Sequence, residues 1–356
     1  MQEPAEAGRR GLRRLPAPTS EKGTVSICFV AAAVEHVARR GLGVESVLLR
    51  SGISPSLLGT PQARVSAANY AVLWRLVARV LDDEFFGQDS RRMKCGSFAM
   101  LCRTAVHGAT LRQGLDRTLR FFRLLLDDIE AVAGSEGTAA TVTLRTRTAA
   151  AAQRMFAHEA LLIMIHGVAC WLVGRRIPIT AACFAYPEPA HSAEYRLMYS
   201  TQLQFSQPHT RISFDAAYLD LPVVQNERSL KEFLRVAPQN ILVKYKNANS
   251  LAARIRRRLR QLLPGDLPEF EALAGELNMT PITLRRRLQD EGESYQSLKD
   301  QLRRDLAITY MSHTDRSVRD IALELGFAEP SAFHRAFKKW TGTAPGAYRR
   351  SLQPPP

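Results

Sequence analysis

The chain has 356 residues, of which 46% are hydrophobic, and its formal net charge is +15. This length fits two or three domains with substantial cores, and the excess of positive charge suits an anionic partner. Residues 250–356 hold 18 Lys and Arg against 13 Asp and Glu, so most of the positive charge lies elsewhere and gives only weak support for nucleic-acid binding. The five cysteines are odd in number and contain no C-x-x-C pair, which argues against a disulfide framework and fits reduced thiols in the cytoplasm.

The N-terminal segment 1–23 contains three prolines and two pairs of arginines and is predicted to be a disordered basic tail. The apolar run 24–34 follows it, an order that superficially resembles a secretion signal. The run is too short to span a bilayer, and Glu35 and His36 interrupt it. We therefore predict an amphipathic helix that continues to Arg40, with no membrane as a partner.

Helical periodicity and capping residues predict several helices before residue 130. The segment 26–86 is predicted to be helical, with Ser66 as the cap of a helix over 67–81. Two further helices are predicted over 96–104 and 110–126, the second capped by Thr110.

A change of period predicts a sheet after these helices. Apolar and polar residues alternate over 129–133 and 140–146 on either side of a glycine-containing turn, which predicts a β-hairpin. Further strands are predicted over 181–186 and 202–214, with breaks at 187–189 and 207–209. The sequence therefore indicates an α+β domain over 24–237 and a linker over 238–249.

The apolar segment 158–174 is predicted to be a core helix, because it is too short and too polar at Glu159 for a membrane span. His158 and His166 are eight residues apart, off the i,i+4 spacing of a helical metal site, and no metal or cofactor motif is found in the sequence. His166, Trp171 and Tyr195 are candidate pocket residues, although ordinary core packing is the simpler account of each.

An internal repeat dominates the C-terminal part of the chain. Leu273–Leu277 matches Ile321–Leu325 at an offset of 48 residues, and the match resumes at an offset of 49 with Arg286 over Arg335. Each copy is predicted to be a helix, a tight turn and a second helix. The first helix is predicted to end at Asn278 in one copy and at Gly326 in the other, Thr280 is predicted to cap the second helix of the first copy, and Pro281 and Pro330 open the second helices. We expect the first copy's second helix to bury Ile282, Leu284 and Leu288, and that of the second copy to bury Phe333, Phe337 and Trp340.

The segment 294–313 between the copies is predicted to be one long helix of roughly 30 Å. Successive major-groove faces of a duplex lie about 34 Å apart, so one chain could insert two recognition helices in adjacent turns. The alternative is an all-helical bundle whose arginines form a solvated face. Two copies with this spacing favour DNA binding over that alternative.

The segment 250–353 resembles the DNA-binding domain of AraC/XylS transcription regulators, which has two helix-turn-helix units joined by one long helix. The second unit carries the family's motifs most strongly, in Ser317–Phe327, in 331–342 and in 345–350. The resemblance implies base-edge contacts from Ile282, Arg285 and Arg286 in the first unit and from Pro330, Ser331, His334 and Arg335 in the second, with Thr283, Arg287, Lys338 and Lys339 completing the DNA-binding surface. Pro330 stands where relatives often have a polar residue. Each arginine could contact a base edge or a phosphate.

The segment 191–222 resembles the effector domain, of the arabinose-binding-domain type, in the subgroup that includes ornithine-utilisation regulators. The subgroup usually has Phe-Gly where this chain has Tyr199-Ser200. The resemblance implies that the domain over 24–237 senses a small-molecule effector or mediates self-association, and a homodimer is the expected assembly. Double-stranded operator DNA and RNA polymerase are the implied macromolecular partners.

These features predict a sequence-specific transcription regulator, not an enzyme, that acts in the cytoplasm. Activation is the expected mode, although the residues do not separate it from repression. One alternative is an architectural protein that coats DNA without sequence preference. The other is an enzyme domain fused to a DNA-binding module, with Asp127, Asp128, His158 and Glu159 as acid/base groups, but the sequence lacks any recognised catalytic motif for it.

Overall fold

The computed structural model describes residues 24–352 apart from 62, 149–153, 201, 239–240, 242–250, 264–266, 291–292 and 342–343. The predicted tail and most of the predicted linker lie outside the described residues. The described residues form an α+β region followed by an all-helical region, which confirms the predicted fold class.

The first part of the α+β region is mostly helical. Its elements are β1 (Thr24–Ser26), α1 (Ile27–Arg39), α2 (Val44–Arg50), a 3-10 helix (Pro55–Gly59), β2 (Arg64–Ser66), α3 (Ala67–Leu81), α4 (Ser97–Val106) and α5 (Leu111–Leu125). The strands β1 and β2 pair antiparallel, with Val25 opposite Val65. The prediction of an entirely helical segment was therefore wrong there, because three-residue strands are too short to display an alternating pattern.

Five strands form the sheet of this region in the order β3-β4-β7-β5-β6. They are β3 (Ile129–Glu136), β4 (Ala139–Thr146), β5 (Ala181–Cys183), β6 (Leu203–Gln204) and β7 (Thr210–Asp215). The predicted hairpin is present as β3 and β4, which pair antiparallel. The segment 202–214, predicted to be extended with a break at 207–209, forms the two strands β6 and β7. Ser206 between them has a positive φ of 54°, a conformation that interrupts extended backbone.

The longest helix of this region is α6 (Met155–Leu172), which is long and apolar enough to cross a bilayer. However, 83% of it is buried inside the fold, which confirms the prediction of a core helix. Two short helices and a 3-10 turn complete the region, namely α7 (Ser192–Met198), the 3-10 turn Ala216–Asp220 and α8 (Glu227–Val236).

The C-terminal region contains seven helices among the described residues. They are α9 (Leu251–Leu262), α10 (Phe270–Glu276), α11 (Pro281–Asp290), α12 (Tyr295–His313), α13 (Val318–Glu324), α14 (Pro330–Thr341) and α15 (Pro345–Leu352). The 19 residues of α12 span roughly 28 Å and begin at a capping box formed by Ser294 and Ser297. Helix α12 contacts α9, α13, α14 and α15, so it is the central support of the region.

Candidate nucleic-acid interface and effector cavity

The turn between α10 and α11 is built from the residues that the sequence indicated. Asn278 has a positive φ of 53°, which ends α10 and reverses the chain. The Thr283 backbone N–H donates to the Thr280 hydroxyl oxygen at 3.2 Å, so Thr280 caps α11, and Pro281 occupies the first helical position.

The turn between α13 and α14 follows the same plan with a different residue. Gly326 has a positive φ of 71°, and the Phe327 N–H donates to the Ala322 carbonyl oxygen at 3.0 Å. Arg303 of α12 also supports this turn, because its guanidinium donates to the carbonyl oxygens of Leu325 at 3.1 Å and Gly326 at 3.2 Å. The sequence analysis missed Arg303, since a helical arginine gives no signal of which backbone it reaches.

Helix α11 buries Leu284 and Leu288, as predicted, and exposes Arg285, Arg286 and Arg287. The prediction that Ile282 points inward was wrong, because its side chain is 81% exposed. Two helical steps of about 100° each place it on the opposite side of the helix from Leu284. The exposed position instead agrees with the DNA-facing role implied by the family resemblance.

Helix α14 buries Phe333 and Phe337 and half-buries Trp340, as its periodicity predicted. The residues predicted to contact DNA lie along the other side. Of the eleven residues predicted on the two helices, Thr283 and Pro330 are half-buried and the other nine are exposed. Helices α11 and α14 therefore present cationic and polar side chains from the equivalent helix of each repeat, with α12 between them.

A buried contact joins the helical region to the α+β region. The Tyr348 hydroxyl of α15 donates to the Arg64 carbonyl oxygen of β2 at 2.9 Å. The Arg64 guanidinium forms an ion pair with Glu194 of α7, with 3.1 Å between Nη2 and Oε2. The Phe337 ring of α14 meets the Tyr348 ring edge-on at 5.4 Å, so one recognition helix packs on the residue that makes this contact.

A cavity of about 680 Å³ lies beside α1 and α6 in the α+β region. Its apolar lining includes Phe29, Ala32 and Phe156, and its charged or titratable lining includes Arg39, Arg154, Glu159 and His191. Such a mixture of aromatic walls and a few polar groups is typical of small-molecule sites.

Glu159 is the most buried acid of this cavity, with a relative exposure of 2%. One carboxylate oxygen, Oε1, accepts hydrogen bonds from the Tyr195 hydroxyl and from His191 Nε2, the latter at 3.0 Å. Burial, followed by the charge of Glu159, holds the pKa of Tyr195 and of Tyr186 far above that of a free phenol. Both phenols therefore keep their protons, and Tyr195 acts as a donor to the carboxylate.

The two arginines of the lining are engaged by other carboxylates. Arg39 pairs with Glu35. Arg154 donates to Asp128 at 2.8 Å and to the Gln88 carbonyl oxygen at 2.6 Å. Burial alone would raise the pKa of Asp128, but its hydrogen bonds from Ser90 and Arg154 outweigh burial and lower that pKa.

The candidate pocket residues lie outside this lining. Trp171 stacks on Phe233 with 4.5 Å between ring centroids, and His166 Nε2 lies 2.8 Å from the Ile177 carbonyl oxygen. Tyr195 is buried and contacts two residues of the lining, since its hydroxyl donates to Glu159 and its ring meets the His191 ring edge-on at 5.5 Å.

The four acid/base candidates do not converge on one site. Asp127 is exposed and lies 3.8 Å from Arg91, and Asp128 is held by Ser90 and Arg154. His158 is fully buried, with Nδ1 2.7 Å from the Thr210 hydroxyl oxygen. Of these four residues, Glu159 is the one that lines the cavity.

Two family models match the chain. The arabinose-binding domain of AraC transcription regulators matches residues 41–223, and a helix-turn-helix domain matches residues 273–351. The arabinose-binding model matches the region that holds the cavity, and the helix-turn-helix model matches the region with the two helix-turn-helix units.

Characterised and uncharacterised regulators are similar over nearly the whole chain. The ornithine utilization regulator of Pseudomonas aeruginosa is 28% identical over 92% of this chain and 96% of its own length. An uncharacterised helix-turn-helix regulator of Mycobacterium tuberculosis is 29% identical over 94% of this chain and 98% of its own. The transcriptional regulator VirS of the same species is 26% identical over 87% of this chain and 92% of its own. All three are named as regulators, and none as an enzyme.

Proposed function

The chain belongs to the AraC family of DNA-binding transcription regulators, and on that premise we propose that α11 and α14 read two successive major grooves of an operator while the Glu159 cavity receives a small-molecule effector. The single observation that carries the DNA-binding part is that α11 and α14, the equivalent helices of the two repeats, both expose their cationic and polar side chains. The length of α12, roughly 28 Å, is close to the groove spacing of about 34 Å.

We assign base-edge contacts to Ile282, Arg285, Arg286, Pro330, Ser331, His334 and Arg335, as the family resemblance implies. An exposed isoleucine suits the methyl group of thymine, and an arginine can donate two hydrogen bonds to guanine. Pro330 offers an apolar surface and no backbone donor. Thr283, Arg287, Lys338 and Lys339 then contact phosphates, which supply the salt-dependent part of the affinity.

Effector control follows if a ligand in the cavity has different affinities for the DNA-competent and DNA-incompetent arrangements. The buried contacts from Glu159 through α7 to Arg64 and Tyr348 provide physical continuity between the cavity and α14. We propose activation as the mode, with RNA polymerase as a partner, homodimerisation through the α+β region and a cytoplasmic location, where the operator lies.

The experiment is a fluorescence-anisotropy titration against DNA from immediately upstream of the protein's own gene and its neighbours. A scrambled duplex serves as the control at physiological salt, and each titration is repeated with L-ornithine, the compound in the name of the Pseudomonas aeruginosa relative. We expect specific binding roughly a thousandfold tighter than binding to scrambled DNA. Equal, steeply salt-dependent binding to both duplexes under all conditions would instead indicate an architectural protein.

A matched pair of variants separates recognition from general charge. Arg335→Ala removes a cation from α14, whereas Arg120→Ala removes one from α5, where the side chain is exposed and pairs with Asp116. The first should weaken operator binding and the second should not.

A further inference from the structure

Glu159 has an unusual environment for a buried carboxylate. It lies in a helix whose neighbouring residues are almost all apolar and buried, and a buried charge is unfavourable unless other groups compensate it. Both of its side-chain hydrogen bonds fall on Oε1. In the part of the chain that the structure describes, Oε2 accepts no hydrogen bond, and Glu159 lines the cavity. One oxygen of this carboxylate is therefore an open acceptor on the cavity side.

Neither arginine of the cavity lining is paired with Glu159. Arg39 and Arg154 are paired with Glu35 and Asp128. Among the described residues, neither a lysine nor an arginine lies within 4.0 Å of the Glu159 carboxylate, and its basic neighbour is the His191 ring. A ligand with a positive charge would supply the cation that neither a lysine nor an arginine of the described residues supplies to Glu159.

We infer that the cavity binds a small organic cation, whose ammonium group donates a hydrogen bond to Glu159 Oε2 while its alkyl part packs against Phe29, Ala32 and Phe156. The inference rests on the proposed effector role of the cavity and adds the chemical class of the ligand. A hydrogen bond between two charged groups is about twice as strong as one between neutral groups. The face of an aromatic ring such as Phe29 also attracts an ammonium group.

Other ligand classes fit the lining less well. A carboxylate ligand would meet the buried charge of Glu159 and would have to compete with Asp128 for Arg154 or with Glu35 for Arg39. A neutral polyol could donate to Oε2 but would bring no positive charge to add to the compensation from Tyr195 and His191. The volume of about 680 Å³ admits any of these, so charge is the feature that discriminates among them.

The test measures ligand binding by isothermal titration calorimetry on the full-length protein. The probes are n-butylammonium chloride, 1,4-diaminobutane, L-arabinose and sodium butyrate at constant ionic strength. Saturable binding of at least one amine, and at least about tenfold weaker binding of L-arabinose and butyrate, is the expected result. Binding of L-arabinose or butyrate as tight as that of the better amine, or no saturable amine binding, would overturn the inference.

Variants locate the ligand within the protein. Glu159→Gln should weaken the amine at least about tenfold, whereas Glu136→Gln, which alters an exposed glutamate on β3 paired with Arg211, should leave it unchanged. Ala32→Trp fills the cavity without touching the carboxylate and should abolish amine binding even if Glu159→Gln does not fold. Unchanged amine affinity in both cavity variants would overturn the inference.

Operator binding by the same preparation keeps the two claims separate. Specific DNA binding without amine binding overturns the ligand class alone and leaves the DNA-reading role intact. Saturable amine binding without any specific DNA binding overturns the regulator proposal and not the assignment of the cavity.

Discussion

The hydroxyl of Tyr348 donates a hydrogen bond to the carbonyl oxygen of Arg64, a residue that lies 284 positions earlier in the chain. Both residues are buried. Arg64 also pairs with Glu194 of α7, and the neighbouring Tyr195 donates to Glu159 in the cavity. A short series of buried and half-buried contacts thus runs from the Glu159 cavity to Phe337 of α14, whose ring meets that of Tyr348.

Replacement of Tyr348 by phenylalanine should destabilise the protein by about 1 kcal/mol, because it removes one buried hydrogen bond and preserves the ring. Urea unfolding monitored by tryptophan fluorescence measures the change in the free energy of unfolding. Tyr218→Phe is the matched control, since the Tyr218 side chain is half-buried and its hydroxyl makes no hydrogen bond to the described residues. Equal stability of the two variants would show that the hydrogen bond to Arg64 contributes nothing.

The Glu194→Gln variant should uncouple ligand binding from DNA binding. The substitution keeps the shape of the side chain and removes the charge that pairs with Arg64, while Glu159 and its two donors remain. We expect affinity for 1,4-diaminobutane to stay within about twofold and the effect of that ligand on operator affinity to shrink by about 1 kcal/mol or more. Anisotropy titrations with and without ligand give both values, and an unchanged coupling energy would rule out α7 as the route.

Substitution of Ile282 by alanine distinguishes a core position from a DNA contact. Because the side chain is 81% exposed, its removal should change the free energy of unfolding by less than about 0.5 kcal/mol. Operator affinity should nevertheless fall, because an apolar contact to a base is lost. Leu284→Ala, two residues away and fully buried, is the opposite control and should destabilise the fold by about 2–5 kcal/mol. Unchanged operator binding in Ile282→Ala would remove this residue from the interface.

Arg335→Ala should weaken operator binding by about 1–3 kcal/mol if its guanidinium contacts a base edge. Binding to a scrambled duplex should then change much less, so the specificity ratio falls. The measurement is anisotropy on both duplexes at two salt concentrations. An equal loss on both duplexes, with a smaller dependence on salt, would mark Arg335 as a phosphate contact.

Periodicity, caps and repeats were sufficient to predict the helix-turn-helix units, because those signals lie within a few residues of one another. Thr280, Pro281 and Gly326 each act on the adjacent backbone, so their role can be read locally. Hydrophobicity alone predicted that Ile282 is buried. Because Ile282 lies about 200° around the helix from the buried Leu284, its side chain is on the exposed side. Departures of this kind from the usual pattern are expected at functional surfaces, which is consistent with the proposed contact of Ile282 with DNA.

Contacts between distant segments could not be predicted from the same signals. Nothing near Arg64 or Tyr348 indicates that they meet, and Arg303 reaches a turn more than twenty residues away. The Glu159 cavity is an intermediate case. An acid within an apolar helix was visible in the sequence, but the His191 and Tyr195 donors depend on how α7 folds back onto α6.

The hydrogen bonds of Asp128 predict a specific dependence of stability on pH. Burial raises the pKa of this carboxyl, but donors from Ser90 and Arg154 outweigh burial, so the pKa in the folded protein lies below its ordinary value. Below pH 4 the unfolded chain therefore binds a proton at Asp128 before the folded chain does. The stability that Asp128 contributes is fully present above its unfolded pKa of about 3.9 and is lost as the pH falls through the lower folded value.

Asp128→Asn should therefore be less stable than the parent protein by about 1–3 kcal/mol between about pH 5 and pH 7, with a gap that narrows as the pH falls below about 4. Asp127→Asn is the adjacent control. Its parent side chain is 56% exposed and 3.8 Å from Arg91, so the change should be below about 0.5 kcal/mol. Urea unfolding at a series of pH values gives both curves. A gap for Asp128→Asn that stays constant down to the acid transition would mean that its contribution arises from packing, because only a charge that titrates differently in the two states can make the gap depend on pH.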